Sequence, residues 1–575
     1  MQKKQTILVA ASLLIVVLSV TLAYFTAQII GEGKNISVSS ADLKIVFTDT
    51  DGNIEGNGIT PGWSNSKTFT VKNESNGTYK YDIIIKDLVN TFKTYKYLQY
   101  KITSTDGGYN MTDYSYLPKS STKEDVALAY EVSIDKGKTH TYIIEIKYAN
   151  DESVDQSIDM GQSLSGTIYI REFTKPTMKL TDKLMADNPT IKTRTDFNTI
   201  FTETNTGTLY KATEQIGTNP AKDVYYFAGD AKNNWVKFGK ATESSCTYNN
   251  SEVYYVDLSS GTMVIRRPHN QEECLSSNVC TLNELKGVGV TDNICTGKGG
   301  TLTGEKATWN GATTNDMYWR IIRTNADGSI KLLYAGTSPD SDKAYVGLSE
   351  FNTTINDPMY VGYKYGTSGS LENNRTNDND STIKTYIDNW YKNNLIDYTK
   401  YLSKDAVYCN DRNLASGQTY STTSSFDYAP YERIKTNKQP TYNCTNMSDA
   451  FSVNNTSAKL NYPIGLMSID ELSYAGGEVE YILDAPYAWY YTNANGENSY
   501  GSVAFWALSP RRWFGSNSFV WSVDGSSPGY LGFNGVGDSR AVRPSVSLLS
   551  CNLISRGDGS PENPYVVYTG SGVCE

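Results

Sequence analysis

The sequence predicts a multidomain, β-rich chain: an N-terminal membrane segment, an all-β antiparallel sandwich, and an α+β C-terminal domain with cysteine-bearing insertions. Three observations carry this reading. Residues 7–25 form an apolar run after Lys3 and Lys4, with no charge before Glu32, and that length suits a membrane better than a core helix. Residues 34–173 alternate apolar and polar side chains with period two, as half-buried strands do. All eight cysteines lie beyond that region, among mixed strand and helix signals. The expected segments are 1–31 for a signal peptide or single-pass anchor, 32–173 for the sandwich, 174–220 for a connector and 221–575 for the C-terminal domain.

Charge and length define the first segment. Lysines on a short N-terminal side stay cytoplasmic by the positive-inside rule, so the rest of the chain is expected outside the cell, at its surface or anchored in the membrane. Thr21 and Ala23 are small residues placed for a cut after Ala23, which leaves a cleaved signal and a retained anchor both open. An oxidising exterior converts an even cysteine count into bridges. Proximity pairs Cys409 with Cys444 and Cys551 with Cys574, and leaves Cys246, Cys274, Cys280 and Cys295 to pair among themselves.

In the sandwich region Tyr79, Tyr81, Ile83 and Ile85 alternate with Lys80 and Asp82, while Tyr142, Ile144, Ile146 and Tyr148 alternate with Thr141, Glu145 and Lys147. Further strand runs fall at 43–47, 67–73, 97–102 and 164–170, spacings that suit two packed antiparallel sheets. Asp49-Thr50-Asp51-Gly52-Asn53 has the oxygen spacing of a calcium loop, but Ile54 and Thr60 stand where such a loop needs Gly and Glu, so it reads as an Asp-Gly turn. Four motifs also occur here: Leu22-Ala23-Tyr24-Phe25-Thr26, Ala41-Asp42-Leu43, Pro61-Gly62 before Phe69-Thr70-Val71-Lys72-Asn73, and Met160-Gly161-Gln162-Ser163. Over about residues 20–173 this half resembles the camelysin and biofilm-matrix-fibre family, and the resemblance implies self-assembly of the sandwich into a fibre as an alternative role.

Leu180, Leu184 and Met185 predict one short helix in the connector. Beyond it, 319–323 and 330–334 read as a hairpin closed by Asp327-Gly328. Ser381 caps a helix whose Ile383, Tyr386, Ile387, Trp390 and Tyr391 form one apolar stripe, and Ser468-Ile469-Asp470-Glu471 is a capping box. Arg543, on an apolar strand, is expected to pair with Asp470 or Glu471.

Function is placed in residues 505–548, where aromatic and arginine side chains crowd glycine-rich connections. Rigid aromatics among small polar residues lose little rotamer freedom on contact, which suits recognition. Arg511, Arg512, Trp513, Phe514, Tyr530, Phe533, Asn534 and Asp538 are the expected ligand-binding residues, while Trp506, Trp521 and Val542 are expected inside. Trp506-Ala507-Leu508-Ser509-Pro510, the valine-rich run ending at Gly525, and Val542-Arg543-Pro544 resemble the end of C-type-lectin-like domains in bacterial surface proteins. They are similar to the variable proteins of diversity-generating retroelements, which share the formylglycine-generating-enzyme fold. That resemblance implies ligand display from this last segment.

Other chemistries are not signalled. A net charge of −10 and a pI near 5.1 lack the basic footprint of nucleic-acid binding. Cys274 and Cys280 have five residues between them, a spacing that does not suit zinc, so no metal or cofactor is expected. The two histidines, His140 and His269, read as a strand-surface and a loop residue rather than catalytic bases, and no enzyme activity is expected. The expected partners are an extracellular protein or glycan and, through the N-terminal segment, the membrane.

Overall fold

The structure, a computed structural model, describes the backbone from Phe25 and side chains from Ile59 to Cys574; residues 1–24 and 282–306 and shorter breaks fall outside it. The expected membrane run up to residue 24 therefore lies outside the described residues. Among those described, no helix is long and apolar enough to cross a membrane. The chain divides into two compact units, Met1–Lys175 and Pro176–Glu575, close to the expected boundary between residues 173 and 174.

Among the described residues the first unit holds eleven strands: β1 (Phe25–Gly31), β2 (Ile36–Ser40), β3 (Leu43–Asp49), β4 (Ile54–Ile59), β5 (Ser64–Asn73), β6 (Tyr79–Asn90), β7 (Leu98–Ser104), β8 (Ser115–Tyr116), β9 (Ser120–Ile134), β10 (Thr139–Tyr148) and β11 (Ser163–Glu172). They form a five-stranded sheet, β4-β1-β11-β6-β9, and a six-stranded sheet, β2-β3-β5-β10-β7-β8. The first described strand, β1, thus already belongs to the sandwich ahead of residue 32. One expectation needs correction: β1 runs parallel to β11. Strands so distant in sequence are not bound by the geometry of a hairpin, and a parallel pairing is open to them.

One core takes side chains from both sheets, including Phe69, Val71, Tyr142 and Ile144 from the second and Ile83, Ile85, Leu164 and Ile168 from the first. In β10 the alternation is clean, with Tyr142, Ile144, Ile146 and Tyr148 fully buried and Ile143 48% exposed. His140 shares their parity and is buried, not on the surface as expected. Its Nδ1 lies 2.9 Å from the Tyr81 hydroxyl, which is 2.5 Å from that of Tyr142. Burial lowers the imidazole pKa, while Asp106 and Asp135 act the other way. Asp82 is likewise inside, where Arg171 Nη2 donates to it at 2.9 Å.

In the second unit the region expected as a connector is integral. The predicted helix is present as Leu180–Asp187, with Leu180 and Leu184 buried, and Thr208–Glu214 pairs antiparallel with Lys222–Tyr226. The predicted hairpin is Thr308–Thr324 with Ile330–Tyr334, and the latter pairs with Ser545–Leu548. Helix Thr382–Asn394 starts where Ser381 accepts from Lys384 N, and it buries Ile383, Tyr386, Ile387 and Tyr391. Helix Ile469–Ala475 carries the full capping box of Ser468 and Glu471. Arg543 departs from expectation. It is buried and takes no carboxylate; Nη1 donates to Tyr490 O at 2.6 Å and Nη2 to Tyr334 O at 3.1 Å, beneath the Tyr500 and Phe505 rings.

Cys409–Cys444 and Cys551–Cys574 are bonded as proximity suggested, with Cα atoms 5.9 and 5.4 Å apart, and Cys246 joins Cys274. The side chain of Cys280, and Cys295 and His269 altogether, lie outside the described residues. Peptide mapping without reductant should recover both predicted pairs, and free thiols at Cys409 and Cys444 would overturn the pairing. Closing 35 residues of chain, this bridge should stabilise by about 4 kcal/mol, read as the loss in a Cys409→Ser/Cys444→Ser variant.

Candidate ligand-binding face

Three strands build the face. Phe505–Trp513 pairs antiparallel with Ser518–Val523, which pairs with Tyr530–Gly535. The turn between the first two needs glycine at Gly515, where φ is 80° and a Cβ would meet Thr423 O at 2.7 Å. Directly opposed residues share a face, so Arg512 stands beside Phe519, and Trp521 beside Phe533.

The first strand is irregular between Pro510 and Arg512. Proline has no N–H for the ladder and is tolerated at such a bulge, which re-aims the residues beside it. Both arginines consequently reach one aromatic cluster. The Arg511 guanidinium lies 4.4 Å from the Tyr431 ring and 4.0 Å from the Phe533 ring. That of Arg512 lies 4.9 Å from Phe514 and 5.4 Å from Tyr431. Arg512 also grips Asp427 with two nitrogens, Nη2 to Oδ2 at 2.8 Å and Nε to Oδ1; the hydrogen bond to Asp427 raises its pKa. Phe514 packs edge-on to Phe519 at 5.0 Å, and Phe519 to Phe533 at 5.7 Å. The outer end of this ladder faces water, with Phe514 43% exposed.

The expected contact residues separate into groups. Phe514 and Phe533 meet in the ladder, and Arg512 flanks it. Trp513 is corrected: it is fully buried, because the strand extends through it and alternation turns it inward, opposite Ser518 and Phe426. Arg511 is buried as well, held between rings rather than offered to a ligand. Asn534 alternates away from Phe533, and its Oδ1 accepts from Ser522 Oγ at 2.8 Å. Tyr530 is half-buried at the far end of its strand, opposite Glu478. Asp538 sits in the following loop, 3.4 Å from Arg540 Nη2. Trp506, Trp521 and Val542 are interior as expected.

Three residues of the face escaped the sequence reading. Phe519 was legible, since it shares the parity of the aromatic positions around it. Asp427 and Tyr431 were not, because they come from the insertion closed by Cys409–Cys444, whose strand Phe426–Asp427 pairs with Trp513 and Arg512. Behind the Asp538 loop lies Glu350, only 4% exposed. Burial and then the nearby Asp538 charge push its carboxyl from 4.5 up to about 7.

Two outcomes are expected. Trp513→Ala should cost ~3–5 kcal/mol of stability, as Trp521→Ala should, while Phe514→Ala should melt near wild type; thermal melts of the three decide. For Glu350 the folded state holds the proton more tightly, so stability should fall as pH rises from 4.5 to about 7. Melts across that range should show this component, and Glu350→Gln should remove it.

No protein-family model and no curated protein matches the chain. Among solved structures, AvmM, described as catalysing macrocyclization in alchivemycin A biosynthesis, aligns over 26% of this chain and 100% of its own at 10% identity, with a TM-score of 0.14. A likeness of that size carries no argument about fold or activity.

Proposed function

We propose that this chain is an exported cell-surface protein whose C-type-lectin-like C-terminal domain binds an extracellular protein or glycan through the Phe514–Phe519–Phe533 ladder and Arg512. The ladder itself carries the reading. Its rings are edge-packed, its arginine is fixed by Asp427, and its outer ring is exposed, so contact costs little ordering entropy. Three disulfides among the described residues support an oxidising setting, and the apolar N-terminal run supports export.

The test is a screen of the disulfide-intact chain on arrayed glycans and arrayed extracellular proteins, followed by variants. Phe514→Ala and Phe533→Ala should each weaken the binding found by roughly 30-fold, the equivalent of about 2 kcal/mol at an aromatic anchor. Binding that both variants leave unchanged, while their melts match wild type, would remove the ladder from the site.

A further inference from the structure

Away from the ligand face, a lysine, an acid and an amide meet on one oxygen. Lys384 and Asp388 are four residues apart in helix Thr382–Asn394, so their side chains lie along one side of it. Lys384 Nζ donates to Asp388 Oδ2, and Asn461 Nδ2 donates to the same oxygen at 3.2 Å. Asn461 is held there by its neighbour Tyr462, whose ring stacks on Tyr391 of the helix with centroids 4.8 Å apart. Lys384 is 0% exposed and Asp388 6%, while Asn461 lies at the surface. The buried ring of Tyr363 is 5.9 Å from Nζ. Asp388 Oδ1 is buried with no hydrogen-bond partner. Burial pushes the Asp388 carboxyl up, against the pull of Lys384 and of the Asn461 hydrogen bond. A surface ion pair needs none of this; here an amine has been taken out of water and set beside an amide.

We propose that Lys384 and Asn461 become joined by an intramolecular isopeptide bond, with Asp388 carrying protons between them. Lys384 Nζ attacks the side-chain carbonyl carbon of Asn461; the Nζ–Cγ bond forms and the Cγ–Nδ2 bond breaks. Two protons pass from Nζ to Nδ2 through Asp388, the amide nitrogen leaves as ammonium, and no electron is gained or lost. The geometry suits each part of that step. Nucleophile and leaving group rest on one oxygen, so less than two hydrogen-bond lengths separate them, and such proximity replaces a bimolecular encounter. A carboxyl that touches both nitrogens is placed to take a proton from one and give it to the other. The exposure of Asn461 leaves its side chain room to turn its carbon toward Nζ and gives ammonium a way out. Lys392, exposed and with its Nζ 6.0 Å from the Tyr462 ring, is the control amine. Both Cys409 and Cys444 fall between the two linked positions, so the bond closes the same insertion from outside the disulfide. The link stands independently of the ladder as a ligand face.

Peptide mapping of the purified full chain by mass spectrometry tests it. After reduction and alkylation, which remove the disulfides, the peptides carrying Lys384 and Asn461 should be recovered as one species, lighter than their sum by one ammonia. Asn461→Ala, Lys384→Met and Asp388→Asn should each return the two peptides separately, while Lys392→Met should leave them joined. Asn461→Ala alters a surface side chain and should keep the Cys409–Cys444 bridge and a cooperative melt, so its loss of the link is not a loss of fold. Wild type yielding both peptides separately at their full masses would overturn the proposal and leave Lys384 and Asp388 an ordinary buried ion pair. A link that survives in Lys384→Met or Asn461→Ala, or is lost in Lys392→Met, would overturn it equally.

Discussion

The second unit depends on one carboxylate. Glu471 caps its own helix by accepting from Ser468 N at 2.9 Å, and it also accepts from Lys331 Nζ at 2.7 Å and Arg323 Nε at 3.0 Å. Arg323 in turn donates to Glu214 at 2.8 Å. Two cations and two anions are thus closed into a neutral knot, every member buried. Burial opposes the charge of each, yet Lys331 and Arg323 hold the Glu471 carboxyl below its ordinary range, and Glu214 and Glu471 raise Arg323. A buried knot of this kind adds little net stability compared with a well-packed apolar core, but removing one member strands the others and costs about 3–5 kcal/mol. Its main effect is to fix how the strand Thr208–Glu214, the hairpin and the helix meet.

From that helix the constraint passes to the recognition face. Asp470, beside Glu471, takes Arg433 Nη2 at 2.9 Å, and Arg433 Nη1 reaches Asp411 at 2.7 Å. Arg433 lies two residues beyond Tyr431, whose ring receives both arginines of the bulged strand. Cys409–Cys444 closes the same segment from its ends. The insertion is therefore clamped by charge at its middle and by a covalent bond at its base, which lets Asp427 and Tyr431 act as fixed parts of a surface that begins on another strand. Preorganisation of this sort is what an aromatic ladder needs to bind without first paying to order itself.

Local signals in the sequence located local structure well. The capping box at Ser468, the cap at Ser381, the Asp-Gly hairpin and the alternation of β10 are each set by a few neighbouring residues, and each is present. Long-range pairings were not legible in the same way. Arg543, on an alternating apolar strand, reads as needing an acidic partner such as Asp470 or Glu471, but Arg433, Lys331 and Arg323 already occupy those acids, and backbone carbonyls serve Arg543 instead. Trp513 was misplaced for a related reason: the end of a strand is set by what pairs with it, and Phe426, far off in an insertion, extends this one. His140 was the avoidable error, since its parity with Tyr142 already placed it inside.

The two polar clusters of the unit contrast physically. Around Glu471 each buried charge meets an opposite charge within hydrogen-bonding distance, so the interior is complete without help from solvent. Around Glu350 the neighbouring charge that acts on the buried carboxyl is another carboxylate, Asp538, and its Oε2 has no hydrogen-bond partner. Arg540 stays with its own loop, where Nη1 donates to Ser539 O at 2.9 Å and Nη2 lies 3.4 Å from Asp538. Burial is thus met at Glu350 by holding the proton, where at Glu471 it is met by opposite charge.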